Sequence, residues 1–128
     1  MRILIADSQP KVRFALRVLL GRQLEPNIVK EASDAVEALT EAMNTCPDVV
    51  LLAWDLPGRR ELKLIPALRR ICPTVEIIAL SGRAETRQAA LEAGVDAFVS
   101  KGDPPEQLLL AIAKRPSQLR HDMPQNAQ

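Results

Sequence analysis

The sequence has 128 residues and a formal net charge of +1, and 47% of its residues are hydrophobic, which is ordinary for a globular chain. This length predicts one domain with a single core, and no apolar run is long enough to cross a bilayer. This near-neutral net charge gives no indication of direct binding to nucleic acid or to a membrane. We expect a cytoplasmic chain without a signal peptide, because residues 2–6 already resemble a strand.

The two cysteines do not indicate a metal site. Cys46 and Cys72 each come just before a proline at the end of a helix-like stretch, and their spacing is not that of metal ligands. A disulfide is unusual in a cytosolic chain. Both cysteines are therefore predicted to be inert.

Strand-like and helix-like segments alternate in the first third of the chain. Residues 2–6 predict a first strand and residues 27–31 a second. The helix between them is predicted to end at Gly21, and its apolar residues recur at helical spacing: Val12, Ala15, Leu16, Leu19 and Leu20. Ser33 and Asp34 are candidate N-caps of a second helix.

The central element is a run of five apolar residues that ends at Ala53. It predicts a third strand over residues 48–53, buried on both faces, and the Leu-Pro-Gly that ends at Gly58 predicts a turn. In an open parallel sheet, ligand chemistry lies just beyond the carboxyl ends of the strands. Ala53, Trp54 and Asp55 are therefore the first positions to consider.

The second half of the chain continues the alternation. Residues 60–71 predict a helix in which Pro66 causes a kink or a late start, with an inward face made of Leu62, Ile65, Leu68 and Ile71. Residues 75–80 predict a fourth strand, and residues 83–93 predict an alanine-rich helix that ends at Gly94.

The last strand is predicted over residues 96–100, and Lys101 follows it. Pro104, Pro105 and Glu106 open a final helix in the manner favoured at N-termini. Few apolar residues come after Lys114. We therefore expect one domain over residues 1–115 and a flexible C-terminal tail over residues 116–128.

Five strands that alternate with five helices predict an α/β fold with a doubly wound parallel sheet. The strand order 2-1-3-4-5 is one of two common orders for such sheets, and its switch point lies between the first and third strands. This topology is expected to bring Asp7, Ser8, Ala53 and Asp55 together.

Six segments, in this order along the chain, resemble the receiver domains of response regulators in two-component signalling. They are Ile-Leu-Ile-Ala-Asp, Pro-Asp-Val-Val-Leu-Leu, Leu-Pro-Gly, Ala-Leu-Ser-Gly, Glu-Ala-Gly-Val-Asp-Ala-Phe and Val-Ser-Lys-Gly-Asp-Pro-Pro-Glu-Gln-Leu. The likeness covers residues 2 to about 115, and the sequences of these segments are most similar to those in the receivers of helix-turn-helix transcription factors. It implies a CheY-like, flavodoxin-like fold and a non-enzymatic signalling module of a phosphorelay.

The resemblance assigns a degenerate phosphorylation site. In the family, two adjacent acids and the acceptor aspartate hold a divalent cation, which prefers oxygen ligands. Here Asp7 is the first acid, Ser8 stands in place of the second, and Ala53 stands at the acceptor position. Asp55 aligns with a position that lends its backbone carbonyl to the metal. Only weak magnesium binding is expected, since Asp7 and Lys101 roughly cancel in charge.

Other readings of these acids remain open. Asp7 can be a turn or helix-cap acid, Ser8 a plain N-cap, and Asp55 a solvated loop acid. Asp55 is also a candidate substitute acceptor. Ala53 can be natural, or an aspartate can have been changed to alanine; Ser8 favours the natural origin because a second site residue is also replaced.

The resemblance assigns roles to three further residues. Ser81 matches the hydroxyl that contacts the phosphoryl oxygen, Lys101 the lysine that pairs with the phosphorylated aspartate, and Phe98 the aromatic that swings inward when the hydroxyl moves. The alternatives are a turn serine, a surface lysine and an ordinary strand residue. The family's usual Lys-Pro pair is replaced by a Lys-Gly-Asp-Pro segment over residues 101–104.

The leading hypothesis is a receiver domain that signals by protein contacts and cannot take phosphate at the usual site. The alternative is a phosphoacceptor that uses Asp55 and catalyses its own dephosphorylation, and a small-molecule binder on the same topology ranks last. A histidine kinase or an output domain is expected to dock on helix four, strand five and helix five. Leu110 is predicted to point outward there with Lys114 one turn on, which also allows a weak homodimer.

Overall fold

A computed structural model describes residues 1–23 and 28–114, so the predicted tail over residues 116–128 lies outside the described part. Five parallel strands form one sheet in the order β2-β1-β3-β4-β5. The strands are β1 (Arg2–Ala6), β2 (Ile28–Ala32), β3 (Val49–Ala53), β4 (Glu76–Ser81) and β5 (Ala97–Ser100). The helices are α1 (Pro10–Gln23), α2 (Ala35–Thr45), α3 (Leu64–Ile71), α4 (Arg87–Glu92) and α5 (Pro105–Ala113). The predicted fold class and strand order are confirmed.

Two apolar layers cover the sheet, one on each face. Helices α2, α3 and α4 pack on one face, and α1 and α5 on the other. All five residues of β3 are fully buried, and its side chains alternate between the layers: Val50 and Leu52 face the first, Val49 and Leu51 the second. The prediction of a strand buried on both faces is confirmed. None of the helices in the described ranges is long and apolar enough to span a bilayer.

The predicted end of the first helix at Gly21 is wrong, because α1 continues to Gln23. A Cβ at Gly21 would meet nothing within 4 Å, and the residue has ordinary helical geometry. Gly94, by contrast, has a φ of +105° and follows the end of α4 as predicted. A glycine ends a helix where the chain turns into the left-handed region, and of these two glycines Gly94 makes that turn whereas Gly21 does not.

The third helix starts late, as Pro66 predicted. It begins at Leu64, which places Pro66 in its first turn, where the missing N–H leaves no bond unmade. Lys63 precedes it in the left-handed conformation, with φ of 47°. Leu62 therefore lies outside the helix and is 40% exposed, so its predicted inward position is wrong.

The segment predicted as one helix over residues 83–93 is two elements. A 3₁₀ turn over Ala84–Thr86 leads into the short α4, so the predicted N-terminal turn of this helix is more tightly wound than an α-helix.

The prediction that both cysteines are inert is also wrong. Cys46 and Cys72 are joined by a disulfide, and their Cα atoms are 5.6 Å apart, a normal separation for such a bond. Each cysteine caps the C-terminus of a helix, α2 and α3 respectively. These helices pack side by side on one layer, so the contact depends on tertiary structure that the sequence spacing does not display.

Candidate functional site

The carboxyl ends of β1, β3, β4 and β5 meet at one edge of the sheet. Asp7 follows β1, Ala53 ends β3, Ser81 ends β4 and Lys101 follows β5. The structure joins two of these four side chains directly. Lys101 Nζ donates to Asp7 Oδ2 at 2.9 Å, although the residues are 94 positions apart.

Asp7 is held from several sides. It is 1% exposed, and its Oδ1 accepts the backbone N–H of Gln9 at 2.9 Å. Its own backbone oxygen accepts from the guanidinium of Arg13 at 2.7 Å, and the same guanidinium pairs with Glu31 on β2. Both carboxylate oxygens of Asp7 therefore have a donor: Asp7 makes the predicted local turn contact and also faces Lys101.

Lys101 is positioned by the end of β5. Its backbone N–H donates to the Ser81 carbonyl at 2.7 Å, which extends the β4–β5 pairing by one residue. Asp103 closes the next turn, because its carboxylate accepts the Ser100 N–H at 3.0 Å while its own N–H donates to the Ser100 carbonyl. These bonds define the loop that stands where the family usually has Lys-Pro. Lys101 is exposed as a residue, but its side chain is 25% exposed and its ammonium group pairs with the buried Asp7.

Ala53 supplies only a methyl group. It is fully buried at the end of β3, opposite Leu80 of β4. Ser8 is next to Asp7 in the sequence and Asp55 lies two residues after Ala53, but both residues are exposed. Within residues 1–23 and 28–114, neither side chain is hydrogen-bonded to Asp7 or Lys101. The expected cluster is thus reduced to one carboxylate and one ammonium group.

The predicted N-cap role of Ser8 is wrong. Helix α1 begins at Pro10, two residues further on. The carboxylate of Asp7, and not the Ser8 hydroxyl, accepts the N–H of the residue just before the helix.

Ser81 is engaged with the turn that leads into α4. Its hydroxyl oxygen accepts the Arg83 N–H at 3.1 Å and lies 2.9 Å from the Thr86 hydroxyl. Ser81 is 7% exposed. The sequence analysis missed Thr86, because a continuous helix over residues 83–93 would not fold this residue back onto the end of β4.

A pocket of about 350 Å³ opens beside the site, next to the loop after β3. The Arg59 guanidinium lies 3.5 Å from the centre of the Trp54 ring and donates to the Trp54 carbonyl at 2.8 Å. Burial, with the nearby charge of Arg60, lowers the pKa of Arg59 from its usual value. This cation–π contact was also missed, since it depends on the turn at Gly58, where φ is +84°.

The predicted switch residue is buried, whereas the two predicted interface residues are exposed. Phe98 is 9% exposed and packs against the layer of α2, α3 and α4, with the Arg87 guanidinium 5.9 Å from its ring centre. Leu110 is 46% exposed on α5, so its predicted outward orientation is confirmed. Lys114 is exposed just after that helix.

A second concavity lies on the other face of the sheet. It is an apolar groove of about 430 Å³ between α1 and α5, and Leu16, Leu19 and Leu108 contribute to its walls. In the described part of the chain, His, Cys, Asp and Glu side chains do not gather in any group of three suited to hold a metal ion.

The family model of the response regulator receiver domain matches residues 3–113. Among curated proteins, the chain is 34% identical to the transcriptional activator protein ExaE of Pseudomonas putida, over 89% of this chain and 54% of that protein. It is also 34% identical to the nitrate/nitrite response regulator protein NarP of Escherichia coli, over 87% of this chain and 53% of that protein. The chain thus spans about half the length of these relatives.

Solved structures agree with the sequence comparisons. A LuxR-family response regulator from Aurantimonas sp. is 28% identical with a TM-score of 0.78, covering 93% of this chain and 92% of that one. A CheY-like receiver domain protein from Methanospirillum hungatei is 27% identical with a TM-score of 0.79, covering 94% and 97%. RcsB from Salmonella enterica bound to a promoter has a TM-score of 0.77 at 25% identity, covering 94% of this chain and 62% of that one. The chain belongs to the receiver domains of two-component response regulators, close to those of LuxR- and NarL-type transcription factors.

Proposed function

We propose that this receiver domain signals through protein contacts alone and does not accept phosphate at the family's usual position. The observation that carries the proposal is Ala53, a fully buried methyl group at the carboxyl end of β3. The resemblance puts the acceptor carboxylate there, and a methyl group has no nucleophilic oxygen. Ser8, which replaces a second acid, favours a natural pseudo-receiver over an engineered variant.

The charges around Asp7 support this proposal. A divalent cation would need several oxygen ligands with free lone pairs. Asp7 is the single buried carboxylate among the three positions that the family uses, and its two oxygens already accept from Gln9 and Lys101. The residues present therefore offer a magnesium ion at most a weak site, and we assign no phosphoryl-transfer step to it.

Lys101 and Ser81 would then act as fixed structural contacts. In the family they respond to the phosphorylated aspartate. Here the Lys101 ammonium is neutralised by Asp7, and the Ser81 hydroxyl is bonded within its own turn. The domain would hold one conformation and present a constant surface, with no enzymatic turnover.

Phosphorylation with a small-molecule donor tests the proposal. The chain is incubated with acetyl phosphate and magnesium, quenched rapidly and weighed by intact mass spectrometry. We expect no phosphoryl adduct on the wild type. An adduct that disappears in Asp55→Asn would establish Asp55 as a substitute acceptor and refute the proposal. The double variant Ser8→Asp with Ala53→Asp is the positive control, because it restores both replaced acids.

Magnesium binding gives an independent check. Trp54 borders the site and is half-buried, so its fluorescence should report an ion bound nearby. At sub-millimolar magnesium we expect no saturable change for the wild type and a saturable change for the double variant. Saturation of the wild type at sub-millimolar magnesium would contradict the charge argument.

The partner surface is proposed to be α4, β5 and α5. Leu110, an exposed apolar side chain on α5, would lie near its centre, with Lys114 on the rim. A histidine kinase, an output domain or a second copy of the chain would dock there. The rim charges would steer the encounter more than hold it.

The whole protein is proposed to be a cytoplasmic regulator of transcription. ExaE is described as a transcriptional activator, and RcsB has been solved bound to a promoter. This chain spans about half of ExaE, so DNA binding would belong to a further domain.

Sedimentation across a concentration series compares the wild type with Leu110→Glu. We expect weak self-association that the variant loses. Monomeric behaviour of both proteins would refute the predicted self-association. Unchanged partner binding by the variant would refute the prediction that partners dock on α4, β5 and α5.

A further inference from the structure

The disulfide lies at the edge of the sheet opposite the candidate site. Cys46 comes just before β3 and Cys72 just before β4, so both are at the amino ends of strands. Ala53 and Lys101 lie at the carboxyl ends. The bond and the candidate site are thus separated by the full length of β3, about 16 Å for five residues.

The two cysteine residues differ in exposure. Cys46 is exposed, whereas Cys72 is 1% exposed. A reagent in solvent would therefore meet Cys46 before Cys72. This is the arrangement of an attacking and a resolving cysteine, and it is more than a pair of buried core residues.

A hydrogen-bond acceptor lies beside the Cys72 sulfur. The Cys72 sulfur lies 3.6 Å from the Ala42 carbonyl oxygen, close enough for a weak S–H···O bond in the reduced form. That oxygen also accepts the Cys46 N–H at 2.8 Å, which fixes the capping turn of α2. The Cys72 thiol of the reduced form would therefore have an acceptor already in place.

We propose that Cys46 and Cys72 form a reversible thiol–disulfide pair that exchanges with low-molecular-weight disulfides. The Cys46 thiolate attacks one sulfur of the small disulfide, which forms a mixed disulfide and releases one small thiolate. The Cys72 thiolate then attacks the Cys46 sulfur, closes the protein disulfide and releases the second thiolate. Two electrons pass from the protein to the small molecule, and the two protein protons end on the two released thiols.

Closure of this bond would act on stability and leave the candidate site unchanged. The closed loop runs from residue 46 to residue 72 and contains all of β3, the segment 54–63 and α3. A cross-link of this kind limits the unfolded chain. Oxidation is therefore expected to raise the melting temperature by on the order of 10 °C without moving the Asp7–Lys101 pair.

Thiol counting tests the pair. The purified chain is equilibrated with mixtures of reduced and oxidised glutathione, quenched with acid, alkylated and weighed. The chain has only these two cysteines, so the count is unambiguous. We expect monomers with two alkyl groups to be replaced by monomers with none as the mixture becomes oxidising, and a reductant should reverse the change.

Two single variants separate the roles. In Cys46→Ser, the remaining buried thiol of Cys72 should stay unmodified by glutathione. In Cys72→Ala, the reaction should stop at the mixed disulfide of Cys46 with glutathione. A wild type that stays doubly alkylated in excess oxidised glutathione, stops at the mixed adduct or forms disulfide-linked dimers would overturn the proposal. So would equal melting temperatures of the oxidised and reduced wild type.

Discussion

Replacing Lys101 by methionine should destabilise the domain more than any ordinary surface change. The variant keeps most of the side-chain length but removes the ammonium group that faces Asp7. Asp7 would then be a carboxylate with 1% exposure and only the Gln9 N–H as a donor. Breaking a buried pair from one side costs several kcal/mol, because the remaining charge has lost its partner without regaining water.

The geometry sets the size of the effect. At the Lys101–Asp7 separation of 2.9 Å, two unit charges attract by about 6 kcal/mol at an effective dielectric constant of about 20. The Lys101 side chain is 25% exposed, so solvent weakens this attraction. We expect Lys101→Met to lower the free energy of unfolding by about 3 kcal/mol and Asp7→Asn by about 1 kcal/mol. The double variant should lose about 2 kcal/mol, which corresponds to a coupling energy of about 2 kcal/mol.

Urea unfolding followed by Trp54 fluorescence gives all four free energies of the cycle. Lys30→Met, which removes an exposed lysine on β2, is the matched control and should change stability by less than about 0.5 kcal/mol. The coupling should also persist at high salt, because buried pairs are poorly screened. A coupling energy below about 0.5 kcal/mol would refute the inference that this ion pair stabilises the site.

Three further predictions concern contacts other than the Asp7–Lys101 pair. Burial raises the pKa of Glu31, but hydrogen bonds from two arginines outweigh it and the pKa is lowered. Glu31→Gln should therefore cost about 0.5 kcal/mol at pH 7, a figure discounted for solvent screening. In urea titrations this difference should begin to shrink as the pH falls below the ordinary glutamate pKa of about 4.3 and should be lost as the pH falls through the lowered pKa of the folded state. Gly21→Ala, within α1, should raise the free energy of unfolding by up to about 1 kcal/mol. Gly58→Ala should lower it by at least about 1 kcal/mol, because φ is +84° and a Cβ would lie 3.2 Å from a neighbouring methyl. Equal effects of the two variants on unfolding would contradict this. Arg69 donates to two backbone carbonyls and one carboxylate, so calorimetry should show Arg69→Met losing about 2 kcal/mol more than Arg70→Met.

The sheet was predictable because its signals are local. The apolar run that ends at Ala53 specifies a strand buried on both faces, and alternation with helices then restricts the strand order. The same topology predicts that Asp7 lies at the carboxyl edge of the sheet, and the resemblance to receiver domains adds Lys101 to that edge. The late start of α3, at Leu64, is one of the two outcomes that Pro66 predicts, a kink or a late start.

The contacts that the sequence did not display are made by turns and by helix packing. Thr86 reaches Ser81 only because a 3₁₀ turn replaces the first part of a predicted α-helix. Arg59 covers Trp54 only because the chain reverses between them. The disulfide forms because α2 and α3 end side by side. In each case the spacing in the chain carries no period that would reveal the contact.

The strand order also has a consequence for synthesis on the ribosome. Strand β1, the first to emerge, lies between β2 and β3, so these three strands can pair while the rest of the chain is still being made. Until β4 emerges, β3 is an open edge of five apolar residues that the finished domain buries completely. An unpaired edge of this composition is a template for pairing with another nascent chain. The period between the release of β3 and the arrival of β4 is therefore a time at which this edge is open to such pairing.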